Sequence, residues 1–314
     1  MDLSIIIVNW NSTAYLRNCL ESVFRNTTAI GIEVIVVDNG SDDNSCAELI
    51  RTEFPAVVFH DSRENIGFAR GSNLGYELSS GDILLFLNPD TEIHNNVFAH
   101  MAAELASHGH VGAIGSRLLN SDGSLQMSCV STYPTIVNQL LDCEFLRTKF
   151  PASHLWGMQS LYEYSSQPAQ VDVISGACLM VKRNVFEEIG KFDERFFMYV
   201  EDVDLCRRIT DAGYIIRYMN ACEVVHHGGK SSAVQGKYFA NLRQQEAMLQ
   251  FFTITKGKTY SFIYRVMLAV AAVIRLVIIA TMLPLRKSRH AAENWSVGFE
   301  KWSLIFLWAI GFQS

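Results

Sequence analysis

The chain has no C-x-x-C pair, no H-x-x-x-H pair and no Cys/His cluster, so nothing in it marks a zinc site. It also lacks G-x-G-x-x-G and the P-loop signature, which removes the usual marks of a nicotinamide-dependent dehydrogenase or an NTPase. A nucleotidyltransferase on a similar sheet would bring a glycine- and basic-rich triphosphate loop near the N-terminus, where residues 9–17 offer only Arg17. The seven cysteines (Cys19, Cys46, Cys129, Cys143, Cys178, Cys206 and Cys222) stand singly, which favours reduced thiols over a disulfide framework. Met1-Asp2 leads directly into a short apolar run with no basic segment before it, so no signal peptide is read and a cytoplasmic protein is expected. No repeat or low-complexity stretch occurs.

What is present is a large apolar fraction. Hydrophobic residues make up 49% of 314 and charged residues 18%, enough for a sizeable core and too few charges for a disordered chain. The formal charge of −6 is unevenly placed, since residues 256–314 hold eight basic and two acidic side chains. An acidic body with a basic, apolar tail argues against nucleic acid as a partner and for an anionic membrane surface. Residues 260–285 contain only Arg265 and Arg275 as charges and are long enough to span a bilayer. Arg275 sits mid-segment, however, at a cost of roughly 2.5–3.5 kcal/mol on insertion scales. Residues 304–312 are too short to span. The expectation is helices lying in the cytoplasmic leaflet, held by apolar faces and by Arg286-Lys287-Ser288-Arg289.

The first 120 residues alternate strand and helix patterns. Short β-branched runs at 5–8, 34–37, 57–59, 83–87 and 111–114 are apolar throughout, as expected of strands covered on both faces. Between them, Leu16, Cys19, Leu20, Val23 and Phe24 follow helical spacing, with Asn11 or Ser12 placed to cap; Cys46, Leu49, Ile50 and Phe54 repeat it. This rhythm specifies a mostly parallel, doubly wound sheet. Each strand runs into a polar loop: Asn9-Trp10-Asn11, Asp38-Asn39-Gly40-Ser41, Asn65-Ile66-Gly67 and Asn88-Pro89-Asp90. Ligands of open α/β sheets bind beyond the carboxyl ends of strands, so these four loops predict one cleft.

Further on, Asp122-Gly123 reads as a hairpin turn, and Ser175-Gly176-Ala177 places small residues inside an apolar run, suited to close backbone approach. Asp90, displayed past a buried strand on a turn stiffened by Pro89, is a candidate metal ligand; Asn88 can only hydrogen-bond. Glu201-Asp202-Val203-Asp204 opens a helix whose dipole favours anions, and a carboxylate there can serve as general base. Asp204 with Arg208 is also an ordinary i,i+4 ion pair. Phe196, Phe197 and Tyr199 just upstream could wall a sugar site. His226, in His226-His227-Gly228-Gly229 after a strand-like run, could complete a metal site with Asp90.

Taken in order, Val8-Asn9-Trp10-Asn11, Val37-Asp38-Asn39-Gly40-Ser41, Asn65-Ile66-Gly67-Phe68, Leu87-Asn88-Pro89-Asp90, Ser175-Gly176-Ala177, Gly190-Lys191-Phe192-Asp193-Glu194, Tyr199-Val200-Glu201-Asp202-Val203-Asp204 and His226-His227-Gly228-Gly229 resemble the inverting glycosyltransferase family 2, and most closely its bacterial rhamnosyltransferase branch. The resemblance covers residues 3–232 and implies the GT-A nucleotide-diphospho-sugar transferase fold, with C-terminal apolar helices added. It implies a nucleotide-sugar donor held by Asn9, Asp38, Asn65, Gly67, Asn88, Asp90 and Gly176, with Asp38 on the nucleobase. Asp90 and His226 would hold Mg2+ or Mn2+, and Asp202, with Glu201 beside it, would be the catalytic base. The branch implies dTDP-L-rhamnose as donor and a lipid-linked saccharide as acceptor, in O-antigen or capsule assembly. Asn88 stands where the general family has a first Asp, and Gln244-Gln245 lacks the Arg-Trp of processive members. A UDP- or GDP-hexose donor, or a catalytically weak sugar-nucleotide-binding scaffold, are the alternatives. The expected organisation is residues 1–120 for the nucleotide sugar, 121–255 for acceptor and catalysis within the same domain, and 256–314 as a tail peripherally bound to the cytoplasmic membrane.

Overall fold

A computed structural model of the protein describes residues 2–162, 167–228, 239–282 and 289–312. Gly229 and the run Pro284 to Ser288, with its basic Arg286 and Lys287, lie outside the described residues. The strands are β1 (Leu3–Asn9), β2 (Ile32–Asp38), β3 (Val58–Asp61), β4 (Ile83–Leu87), β5 (Thr91–Glu92), β6 (Val111–Leu119), β7 (Val130–Ser131), β8 (Ala169–Val171), β9 (Val173–Ile174), β10 (Cys178–Lys182) and β11 (Ile215–His226). The helices are α1 (Thr13–Asn26), α2 (Ser45–Glu53), α3 (Phe68–Glu77), α4 (Val97–Ser107), α5 (Ile136–Leu141), α6 (Glu144–Lys149), α7 (Arg183–Glu188), α8 (Glu201–Asp211), α9 (Phe239–Lys256), α10 (Lys258–Met282) and α11 (Arg289–Ala309). The chain forms two compact units, Met1–Tyr133 with Arg147–Val234, and Pro134–Leu146 with Gln235–Ser314.

Among the described residues of the first unit, one sheet runs in the order β3-β2-β1-β4-β10-β6-β11-β5, with β8 added against β11. β3, β2, β1 and β4 are parallel, as are β6 and β11. Every residue of β1 is buried, which explains why its sequence is apolar rather than alternating. β10 is antiparallel to both of its neighbours and pairs Cys178 with Leu87. Because it starts where β4 ends, the Ser175–Ala177 turn before it lands on the same edge as the carboxyl ends of the parallel strands.

α3 lies close against β1 because two glycines a helical turn apart face the sheet. A Cβ on Gly71 would meet Val8 Cγ1 at 2.9 Å, and one on Gly75 would meet Ile6 Cγ2 at 2.4 Å. This contact fixes the Asn65–Gly67 loop from which α3 starts. Ser12 holds the N-cap position of α1 without a side-chain cap hydrogen bond, its hydroxyl donating to Trp10 O instead. Asn11 is engaged elsewhere, in a reciprocal pair with Asp42.

The Gly190–Glu194 motif turns out to be a packing device. Phe192 meets Phe86 and Phe186 with ring centroids 4.8 and 5.5 Å apart. Its backbone is pinned on both sides by the buried amide of Asn73, at 3.0 and 3.1 Å. Asp204 pairs with Arg208 at 2.8 Å, and the same guanidinium donates to the carbonyls of Ile189 and Lys191.

In the second unit α10 and α11 form an antiparallel hairpin. Arg265 donates to the carbonyl of Ala309 at 2.8 Å, and Arg275 stacks over the Trp302 ring at 4.0 Å. Arg275 also donates to Leu140 O at 2.7 Å, and Tyr260 Oη accepts from Ile136 N–H at the start of α5. Both arginines of the apolar helix are thus satisfied by protein. By length and composition α10 could cross a membrane, and Phe262, Ile263, Val266, Val270, Ile274 and Val277 are exposed along it.

Gly75→Val is expected to lower unfolding free energy by about 1–3 kcal/mol through overpacking against Ile6, measured by urea titration. Gly109→Ala, whose Cβ meets open space, should stay within about 0.5 kcal/mol of the parent.

Candidate active site

The ends of β1 and β2 are joined through side chains. Asn9 and Asp38 are register partners, and Asn9 Nδ2 donates to Asp38 Oδ1 at 2.8 Å. The Ser41 hydroxyl donates to the same carboxylate oxygen at 2.7 Å, while its oxygen accepts from the Asn11 N–H. Asn9 is fully buried, and its Oδ1 has no hydrogen-bond partner among the described residues. One residue on, Asn39 donates to Asn65 Oδ1 at 3.0 Å and accepts from the Ile66 N–H at 3.0 Å. Asn65 Oδ1 also accepts from the Gly67 N–H. Gly67 has φ +86°, and a Cβ there would lie 2.4 Å from Phe197 O, the carbonyl to which the Phe68 N–H donates at 2.7 Å. The loop before α8 therefore rests on the loop before α3.

That loop contains Tyr199 and Val200, both at φ +69°. A β-branched residue in this region is strained, and the strain sits directly before the acidic pair. Phe196 does not wall a sugar site as its position suggested. It is buried in the core, because successive side chains of this short segment point to opposite sides; Phe197 is the exposed one.

Asp202 is held by two backbone donors, Gly176 N–H to Oδ2 and Val203 N–H to Oδ1, each at 2.8 Å. Gly176 is small for a reason, since its Cβ would come within 3.3 Å of Asp202 Cβ. Glu201 is buried, and its Oε2 lacks a hydrogen-bond partner among the described residues. Burial, and then the neighbouring Asp202 charge, push the Glu201 carboxyl up to about 8. Burial also raises Asp202, opposed by the Gly176 and Val203 N–H groups. Two adjacent carboxyls in a dry site do not both ionise cheaply. Glu201, the more poorly supplied with donors, is the one that keeps its proton, and Asp202, held by the Gly176 and Val203 N–H groups, is the one that carries charge.

Asn88 N–H donates to Ala177 O at 3.0 Å, which ties the β4 loop to the Gly176 turn. β11 delivers His226 opposite Thr91. His226 Nε2 lies 3.2 Å from Asp90 Oδ1 and 3.2 Å from Asn88 Nδ2, and its Nδ1 lies 2.8 Å from Gln126 Oε1. His227 points elsewhere, between Ser121 and Glu92. Among the described residues no three His, Cys, Asp or Glu side chains gather as a metal site. One carboxylate and one imidazole fit a divalent cation that takes its other ligands from substrate oxygens and water.

Contacts join Asn9, Asp38, Asn39, Asn65, Gly67 and Phe197 on one side, and Asp202, Gly176, Ala177, Asn88, His226 and Asp90 on the other, and residues 198–201 connect the two sets along the chain. Nine of the ten candidate site residues named from the sequence lie in these two sets, and the tenth, Glu201, adjoins Asp202 in the chain. Gln126 and the carbonyl of Phe197 were not singled out. Their importance comes from pairing across the fold, and only the hairpin around Asp122-Gly123 gave any hint of the former.

A mostly parallel sheet with antiparallel β10 inside it and antiparallel β5 and β8 against β11, polar loops at its carboxyl edge and an acidic helix start over them define the GT-A nucleotide-diphospho-sugar transferase fold. The solved mannosyltransferase PcManGT from Pyrobaculum calidifontis, in complex with GDP-Man and Mn2+, shares it with TM-score 0.57 and 17% identity, covering 98% of this chain and 87% of that one. The family model of glycosyl transferase family 2 matches residues 4–190, more than half of the chain, and the protein belongs to that family. It is a glycosyltransferase. Among its relatives, the N-acetylglucosaminyl-diphospho-decaprenol L-rhamnosyltransferase of Mycobacterium tuberculosis is 27% identical over 73% of this chain and 77% of its own length. Rhamnosyltransferase WbbL of Escherichia coli is 26% identical over 71% and 82%.

The raised Glu201 carboxyl has a measurable consequence. Between 4.5 and about 8 the unfolded chain releases this proton and the folded protein keeps it. The group's contribution is therefore fully present below 4.5 and is lost as pH rises through that window. Glu201→Gln, which mimics the protonated form, is expected to fold normally and to show a flatter decline of thermal midpoint from pH 5 to 8. An unchanged slope in the variant would place the proton elsewhere.

Proposed function

We propose that the protein transfers L-rhamnose from dTDP-L-rhamnose, with inversion, to a lipid-linked saccharide in cell-surface polysaccharide assembly. The observation that carries the reading is the seat of Asp202. A carboxylate fixed by two N–H groups, beside a neighbour that burial keeps protonated, is joined through Gly176 and Ala177 to the loop after β4, and the segment leading to it rests on the Asn65–Gly67 loop. Two relatives named as rhamnosyltransferases support the sugar. The name of the first specifies a lipid diphosphate acceptor, which supports a similar class here.

In this mechanism Asp202 accepts the proton of the acceptor hydroxyl, whose oxygen attacks the anomeric carbon as the nucleoside diphosphate leaves from the opposite face. A β-linked donor then gives an α-linked product. Asp38 reads the nucleobase, and Asn9, Asn65 and Gly67 frame the nucleotide, with the buried Asn9 Oδ1 free to accept a hydrogen bond. Gly176 lets the backbone approach both Asp202 and the sugar. Asp90 and His226 would hold Mg2+ or Mn2+, which when bound would supply positive charge for the departing diphosphate; Asn88 is placed to hydrogen-bond His226 Nε2 and does not ligate. Residues 1–120 serve the nucleotide sugar and 121–255 the acceptor. Residues 256–314 attach the enzyme peripherally to the cytoplasmic face of the inner membrane, the surface on which lipid-linked saccharides reside.

Purified Asp202→Asn is expected to lose about 10²–10⁴-fold in transfer from dTDP-rhamnose with an unchanged thermal midpoint. Asp90→Ala should lose activity and its response to added Mn2+ together. Turnover with UDP- or GDP-hexoses but not dTDP-rhamnose would replace the donor. Binding of the donor without product on any lipid-saccharide acceptor would favour the scaffold reading.

Membrane attachment is tested on the exposed side of α10. Ile274→Asp and Val277→Asp should each reduce cosedimentation with anionic phospholipid vesicles by roughly tenfold. Undiminished cosedimentation would remove this face from the attachment.

A further inference from the structure

The hairpin that follows β6 returns antiparallel to it, with Leu119 bridging Leu125 and the Gln126 N–H donating to Leu118 O. Its side chains form a directed chain of hydrogen bonds. The Ser124 hydroxyl donates to the Asp122 carboxylate at 2.5 Å, so its oxygen is left to accept from Asn120 Nδ2 at 2.9 Å. The same NH2 group lies 3.4 Å from Leu125 O, which can only accept. The other end of this amide, Asn120 Oδ1, accepts from Gln126 Nε2 at 3.2 Å. Gln126 is thereby turned with its oxygen toward β11, 2.8 Å from His226 Nδ1.

An amide oxygen accepts only, so Nδ1 carries the imidazole proton. On the far side of the ring Asn88 Nδ2 donates only, so Nε2 presents a lone pair. Two amides on opposite sides specify the same tautomer. Without them, the proton would move to Nε2 and be shared with Asp90 Oδ1, 3.2 Å away. Carboxylate and imidazole would then satisfy each other. With the proton held on Nδ1, two acceptors face each other, an arrangement stabilised by a cation between them.

We propose that Gln126 is a positioning residue. Oriented by Asn120, it keeps the His226 proton on Nδ1, so that the Nε2 lone pair carries no proton and can pass from the Asn88 N–H to a divalent cation beside Asp90. The consequence for the cation rests on the reading of Asp90 and His226 given above; the tautomer does not.

The test uses the 15N-labelled full chain at mildly alkaline pH. Long-range 1H–15N spectra report which nitrogen of His226 is protonated, with His226→Gln identifying the ring signals. Mn2+ binding is followed by electron paramagnetic resonance, alone and with dTDP or UDP. The parent protein should show the Nδ1–H pattern. Gln126→Leu should shift the proton to Nε2 and weaken Mn2+ binding 10–100-fold, the usual effect of losing a group that orients a ligand. Gln126→Glu, which keeps an acceptor, should retain the parent pattern and most of the affinity.

An Nε2–H pattern in the parent, or an unaltered spectrum in Gln126→Leu, overturns the proposal. A tautomer that depends on Gln126 in a protein that binds no Mn2+ under either condition upholds it and overturns the cation reading instead. If Gln126→Leu does not fold, Asn120→Ala leaves Gln126 in place but frees its amide to turn. Mixed tautomers are expected there, and an unmixed Nδ1–H ring overturns the relay.

Discussion

The pairing of β10 with β4 is the constraint on which the site depends. A purely parallel sheet gathers the carboxyl ends of its strands on one edge and sends every amino end to the other. By running backwards with Cys178 beside Leu87, β10 brings its amino end, and with it Gly176, to the ligand edge. The hydrogen bond from Asn88 N–H to Ala177 O then locks the turn before β10 to the loop after β4. The groups proposed to act on the leaving diphosphate and on the acceptor hydroxyl, Asp90 and Asp202, come from segments more than a hundred residues apart. They hold their relation because this ladder holds.

Electrostatics divide two adjacent acids into different species. Glu201 and Asp202 are neighbours at a helix start, equivalent by composition. What separates them is the supply of N–H donors, two for Asp202 and none for Glu201 Oε2. Hydrogen bonds to the charged form favour ionisation and burial without them opposes it. The strained backbone at Tyr199 and Val200 sets this difference, because it aims successive side chains into different surroundings. Its cost is borne by the surrounding packing, in which Phe192, Asn73 and Arg208 fix the preceding turn.

The half of the fold with local patterning was legible in the sequence. All five apolar runs are strands, the βαβ rhythm gives the parallel part of the sheet, and Asp122-Gly123 gives the hairpin. The four loops could be assigned to one edge because topology alone puts them there. What local pattern does not encode stayed hidden. The direction of β10 depends on partners far along the chain. A left-handed Val200 runs against the preference of its own side chain, so no reading of residue types would place it. The inward turn of Phe196 was concealed because both members of an aromatic pair look alike in sequence. Gln126 is polar, unremarkable in composition, and acquires meaning only through Asn120 on one side and His226 on the other. The association of Pro134–Leu146 with the C-terminal helices is equally non-local, resting on Tyr260 and Arg275.

Those two arginines in α10 carry an implication for the life history of the chain. Arg265 is neutralised by carbonyls 43 and 44 positions further along, and Arg275 by one 135 positions earlier. While α10 is being synthesised, the partners of Arg265 do not yet exist. The emerging helix is then a hydrophobic segment with an uncovered charge, which the machinery that threads nascent spans into bilayers accepts poorly. Only after α11 has folded back does Arg265 donate to the carbonyls of Trp308 and Ala309. On the proposed membrane attachment, such a helix would meet lipid as part of a completed hairpin rather than as a growing chain.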